Sequence, residues 1–96
     1  MNTKIQSVRF TADQKLITFA ENKVAKLEKF YDKIVSADVT MSLDKDNSKG
    51  NKVVVVMLNV PGESLVADRQ SESFEESIDL CVDALKKQID KHKNKK

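Results

Sequence analysis

The hydrophobic period of this chain switches repeatedly between that of a strand and that of a helix. Each switch marks an element that must bury one face. Ile5 to Phe10 is short and β-compatible and reads as a first strand. Thr11 to Gln14 has the spacing of a capping box, with a hydroxyl at the N-cap and an amide at N3. From Ala12 to about Ile34 the apolar residues Leu16, Ala20, Val24, Leu27, Tyr31 and Ile34 recur at helical spacing without Gly or Pro. Val39, Met41 and Leu43 then alternate as in a second strand, and the polar stretch from Asp44 to Asn51 reads as a hairpin loop. Lys52 to Val60 is a β-branched third strand, and Pro61-Gly62 is a turn. Leu65 to Arg69 is a short fourth strand. Ser71 or Ser73 can cap a final helix, with Glu76 at N3 of the second choice. Phe74, Ile78, Cys81, Leu85 and Ile89 carry that helix to about Lys91.

The order β-α-β-β-β-α predicts an α+β two-layer sandwich, with two helices packed on one face of a four-stranded sheet. The first connection should be a parallel crossover and the next two hairpins. At 96 residues there is room for one core. The expected division is a single domain over residues 1–91, followed by a flexible Lys-rich tail over 92–96. The opposite face of the sheet is expected to be solvated or used.

Several chemistries are excluded or disfavoured. Val53 to Leu58 is an apolar run too short to span a bilayer, and no signal-peptide core follows Met1. One cysteine allows no internal disulfide, and one Cys with one His allows no protein-only Cys/His zinc site. Cys81 lies on the apolar stripe and reads as a small buried hydrophobe. His92 reads as a surface or RNA-facing side chain, and Ser71 and Ser73 as caps. Asp44 and Asp46 read as a polar turn more readily than as metal ligands. Phe19, Phe30 and Tyr31 read mostly as core, with Phe19 and Phe30 at its margin. There is no catalytic constellation, no cofactor motif and no metal motif, so the expectation is a cytoplasmic protein that is not an enzyme.

The formal net charge is only +2, from 17 Lys and Arg against 15 Asp and Glu. Its distribution says more than its sum. At about 100° per residue, Lys26, Lys29 and Lys33 fall within roughly 40° of Lys15, and Lys23 lies near 80°. The apolar stripe is centred near 140°, and Glu21, Glu28 and Asp32 fall near 240°. The first helix is therefore predicted to have apolar, acidic and basic faces. The last helix segregates along its length, with seven acids from Glu63 to Asp83 and six lysines from Lys86 to Lys96. Acids early and lysines late suit the helix dipole. That does not explain why Lys87, Lys91 and Lys95 recur at four-residue spacing. Two lysine patches on neighbouring helices would merge into a phosphate-binding surface. Two arginines and few exposed aromatics point toward a folded, A-form-rich RNA surface rather than single-strand stacking.

Three segments carry a resemblance. Val24-Ala-Lys-Leu-Glu-Lys-Phe30, Asn59-Val-Pro-Gly-Glu-Ser-Leu-Val-Ala67 and Asp83-Ala-Leu-Lys-Lys-Gln-Ile-Asp-Lys-His-Lys93 resemble the ribosome hibernation promoting factor family, which includes the ribosome-associated inhibitor called protein Y. The chain looks like the family's short form. The resemblance implies a β-α-β-β-β-α sandwich similar to double-stranded RNA-binding domains. It also implies occupancy of the decoding channel of the small ribosomal subunit, where mRNA and the A- and P-site tRNAs would sit, in stationary phase or stress. Some members promote ribosome dimers. The family's basic positions match Lys23, Lys26 and Lys29, with Lys33 one turn on, and Lys87 and Lys91, with Lys86 and Lys93 extending the patch. Where many members carry Asp-Met-Tyr entering the last helix, this chain has Ser73-Phe-Glu75, so the aromatic is missing at Glu75. The competing readings are a general double-stranded RNA-binding module and a protein-interaction module of the sigma-factor-modulator kind. A small enzyme using Cys81 and His92 is a distant third.

Overall fold

A computed structural model describes residues 1–44 and 50–94. The elements are β1 (Asn2–Val8), α1 (Gln14–Phe30), β2 (Ser36–Leu43), β3 (Lys52–Val60), β4 (Glu63–Ser71) and α2 (Phe74–Lys93). The four strands form one sheet in the order β1-β2-β3-β4. β1 runs parallel to β2, and the other two pairings are antiparallel. The expected two-layer sandwich is therefore the observed fold.

Alternation decides which sheet face is covered. Val39, Met41, Val54, Val56 and Leu58 are wholly buried beneath the helices. They meet Ala20, Val24 and Leu27 of α1, and Ile78, Cys81, Leu85 and Ile89 of α2, in one core. On the other face Asp38 sits opposite Met57, Met57 opposite Val66, and Val55 opposite Asp68. That face mixes polar with half-buried apolar side chains. Pro61-Gly62 closes the β3–β4 hairpin between Val60 and Glu63, and Gly62 takes φ +88°, as the third residue of a type II turn requires.

Four expected boundaries move, each for a physical reason. The cap of α1 is Asp13 rather than Thr11: the Leu16 N–H donates to Asp13 Oδ1 at 2.9 Å. A carboxylate is the stronger cap of the two. α1 stops at Phe30 rather than continuing to Ile34, because Tyr31 is extended (φ −150°, ψ 107°). Seventeen helical residues span ~25 Å and the eight residues of β2 span ~26 Å, so a helix reaching Ile34 would overshoot the start of β2. Ile34 is buried from the connecting loop instead. β1 starts at Asn2 and ends at Val8, because Arg9 turns to φ +71° and its guanidinium donates to Leu43 O. Phe10 thereby leaves the strand and stacks on Phe74, with centroids 4.6 Å apart and planes 11° apart. β4 is longer than its apolar segment, because the hairpin ladder continues to the Lys52–Ser71 pair whatever the side chains.

α2 begins as expected. Ser73 Oγ accepts the Glu76 N–H at 3.1 Å, and Glu75 and Glu76 lie in the first turn. Ser71 is not a cap. Its hydroxyl lies 2.8 Å from Ser73 O and 2.7 Å from the buried Ser77 hydroxyl, which donates to Lys52 O. The helix runs through His92 and Lys93, so these two residues are helical rather than part of a tail.

Candidate nucleic-acid interface

Chain direction places the lysines. β1, β2 and β4 run one way, and each helix follows one of those strands and returns across the sheet. α1 and α2 therefore run in the same direction, with their C-terminal ends at the same end of the molecule. Contacts between them follow that order. Lys23 Nζ lies 3.0 Å from Asp79 Oδ1, Lys93 Nζ stands 5.0 Å over the Phe30 ring, and Tyr31 meets His92 edge-on at 5.7 Å. The lysine-rich half of α2 thus lies beside the lysine-rich half of α1, and the acidic half lies farther back.

The expected site residues do not all share one surface. Lys26 and Lys29 are exposed on α1, and Lys33 is exposed in the loop after it rather than on the helix. Lys29, Lys33 and Lys93 line one cleft between the two C-terminal ends. Lys86 is half-buried. At about 100° per residue it falls on the α1 side of α2, with Lys93 and Asp79. Lys87 and Lys91 are turned the other way. Lys87 lines a groove with Arg69 of β4, and Lys91 lines another with Glu63 and Leu65. Asp83 and Asp90 fall between the two sets, by the same helical arithmetic. Lys23 is partly neutralised: it pairs with Asp79 and lies 5.4 Å from the Phe19 ring centroid. Such a half-exposed pair contributes about 1 kcal/mol at most, so Lys23 remains able to exchange Asp79 for a phosphate.

His92 departs from its expected exposure. Its imidazole Nδ1 is paired with the Glu63 carboxylate, and its side chain is only 13% exposed. Its rank as an RNA-facing side chain is therefore replaced by a structural one, linking α2 to the β3–β4 hairpin. Spacing along the sequence could not reveal this, because the partner lies 29 residues away.

Cys81 is wholly buried, with Sγ 3.4 Å from Val54 O. Burial pushes its thiol up to about 11, with smaller opposing effects from Arg69 and Asp68. At pH 8 about 0.1% would be thiolate, the reactive form. Native-state alkylation should accordingly be at least a hundredfold slower than in denaturant, as a maleimide time course would show. Comparable rates would mean that the α2 interface opens readily. Asp44 Oδ2 accepts from Gln70 Nε2 at 3.2 Å, whereas Asp46 lies outside the described residues. Among the described residues, no group of three or more His, Cys, Asp or Glu side chains is placed to hold a metal ion. Among them, too, no helix is long and apolar enough to cross a membrane.

The fold and this lysine display define a small α+β sandwich with a basic end built from two co-directional helices. The chain belongs to the family described as Sigma 54 modulation protein / S30EA ribosomal protein, which matches residues 3–96. A ribosome hibernation promoting factor of Azotobacter vinelandii is 32% identical over 95 residues, covering 99% of this chain and 85% of that protein. A ribosome hibernation promotion factor of Bacillus subtilis is 34% identical over 95 residues, covering 99% of this chain and 50% of that longer protein. Among solved structures, a ribosomal subunit interface protein from Coxiella burnetii superposes with a TM-score of 0.88 at 21% identity, covering 99% of this chain and 100% of the other. The N-terminal domain of Thermus thermophilus Protein Y gives 0.79 at 21% identity, covering 96% and 99%. These two likenesses show the fold.

Proposed function

We propose that this chain is a cytoplasmic ribosome-hibernation factor that inhibits translation by occupancy, in stationary phase or stress. It binds the small ribosomal subunit in the decoding channel, where mRNA and A- and P-site tRNAs would otherwise sit. No reaction is catalysed and no cofactor is needed. Lysines of both helices neutralise rRNA phosphates, and the sheet sets the spacing between them. The observation that carries this reading is the co-directional packing of α1 and α2, which gathers Lys26, Lys29, Lys33, Lys86 and Lys93 at one end of a chain of this family. Lys87 and Lys91 extend contact along the outer side of α2, and Lys23 joins by releasing Asp79.

Lysine suits this task as a flexible point charge that follows a backbone without reading bases. With six to eight lysines engaged, binding should fall with salt at a log-log slope of about −4 to −7. Co-sedimentation with small subunits across a salt series measures it, and binding indifferent to salt would overturn the electrostatic account. The same assay tests occupancy. Small subunits preloaded with mRNA and tRNA should exclude the protein, and stable simultaneous binding would overturn the channel assignment. Tight binding to naked duplex RNA with no preference for subunits would favour a general double-stranded RNA-binding module instead.

A further inference from the structure

The cleft between the C-terminal ends of α1 and α2 has features that phosphate neutralisation does not use. Its volume is about 500 Å³, within the range of small-molecule sites. Phe30 forms one wall and is 36% exposed, with the ammonium of Lys93 over its face. Tyr31 forms another wall, held edge-on against an imidazole that is itself fixed by Glu63. Lys29 and Lys33 stand at the rim with Asp32 between them in sequence. An aromatic wall, flanking ammonium groups and one carboxylate are more than a phosphate alone would need.

We propose that this cleft binds an unpaired guanosine 5′-phosphate unit, with the base stacked on Phe30 and the phosphate held by Lys29 and Lys33. Both helices end here, and their C-terminal carbonyls project partial negative charge that offsets part of the lysines' pull on a phosphate. A neutral base carries no such penalty. Stacking on the Phe30 face displaces Lys93, a flexible side chain whose cation–π contact is a weak one at an exposed site. The freed ammonium is then available to the phosphate or to guanine O6 and N7, the acceptors that lysine reads on this base. Asp32 is acceptor-only. It matches the two adjacent donors of guanine, N1–H and N2–H, whereas adenine offers it one donor, N6–H, beside the repelling acceptor N1. Base and phosphate are thus served by different groups of one cleft.

The inference rests on the RNA-binding reading for its biological source, but the cleft can be tested without a ribosome. Titration of the ¹⁵N-labelled full chain with guanosine 5′-monophosphate should give saturable amide shifts at residues 29–33 and 92–93. Phe30→Leu, which keeps an apolar side chain, should weaken that binding about tenfold, the size of a lost base–aromatic stack. Asp32→Asn should erase a preference for guanosine over adenosine monophosphate, and Lys33→Gln should weaken both equally. Equal binding of ribose 5-phosphate, equal binding of adenosine monophosphate by the parent chain, or no saturation at 10 mM nucleotide would each overturn the proposal. Small-subunit binding by Phe30→Leu then separates the sources. A matching tenfold loss assigns the site to an extruded rRNA or mRNA base, and unchanged binding assigns it to a free guanine nucleotide. If the nucleotide fails to bind while the chain still co-sediments, this inference falls and the ribosome-binding reading stands.

Discussion

Charge reversal at Lys26 and Lys29 together should weaken binding to small subunits on the order of a hundredfold or more at physiological salt. Both side chains are exposed, and neither makes an ion pair among the described contacts. Each substitution removes one released counterion and adds a charge that repels phosphate. The fold should survive the change. Lys29 lies in the last turn of α1, where exchanging a cation for an acid loses one favourable dipole contact and adds an unfavourable one, about 0.6–2 kcal/mol together. The melting temperature should therefore drop by no more than about 10 °C. Co-sedimentation and a thermal melt on the same preparation decide the matter. Full binding would remove the first helix from the interface, and a collapsed melt would make these lysines structural. Lys23→Glu provides the contrast. It sets two carboxylates against each other at Asp79, so it should cost more stability and less binding than either neighbour.

The second large effect lies in the core. Leu85 is wholly buried on the face of α2 that meets the sheet. Leu85→Ala removes buried methyl groups and leaves a cavity that the rigid sheet closes only in part, a loss of about 2–5 kcal/mol. For a domain of this size the midpoint should fall by roughly 10–30 °C, as circular dichroism would record. A change below about 1 kcal/mol would mean that α2 packs loosely, since a void in a well-packed interior is felt. The prediction also separates the two faces of one helix. Lys86 and Lys87 directly follow Leu85 in sequence, yet their neutralisation should reduce binding and leave the melt nearly unmoved.

Much of this architecture was legible in the residues. Alternation at Val39 and Met41 marked the covered side of β2, because successive side chains of a strand point to opposite sides; the unbroken apolar run from Val53 to Leu58 left the side that β3 buries undecided. Helical spacing identified Ala20, Val24 and Leu27, and Ile78, Cys81, Leu85 and Ile89, as the buried stripes. Ser73 with Glu76 was one of two caps the residues offered for α2, and Pro61-Gly62 located a hairpin turn. The misplaced ends of α1 have a shared cause. Thr11-to-Gln14 spacing and an Ile at position 34 are local patterns, whereas the length of a crossover helix is set by the strand it must run back along. His92 was misread for a related reason, since only the fold brings it to Glu63.

The sequence by itself determined the order of the elements, the face most of them bury and the separation of lysines from acids. These depend on side-chain period and on sterics within a few residues. The order even implied that the two helices run the same way, because three strands separate them. Only the tertiary structure decided which charges meet. It set Lys23 against Asp79, turned Lys87 and Lys91 toward the β4 side, and closed Lys29, Lys33 and Lys93 around a cleft walled by Phe30 and Tyr31. Such neighbours lie tens of residues apart in the chain. They are fixed by how two helices pack on one sheet, a relation that no period along the sequence encodes.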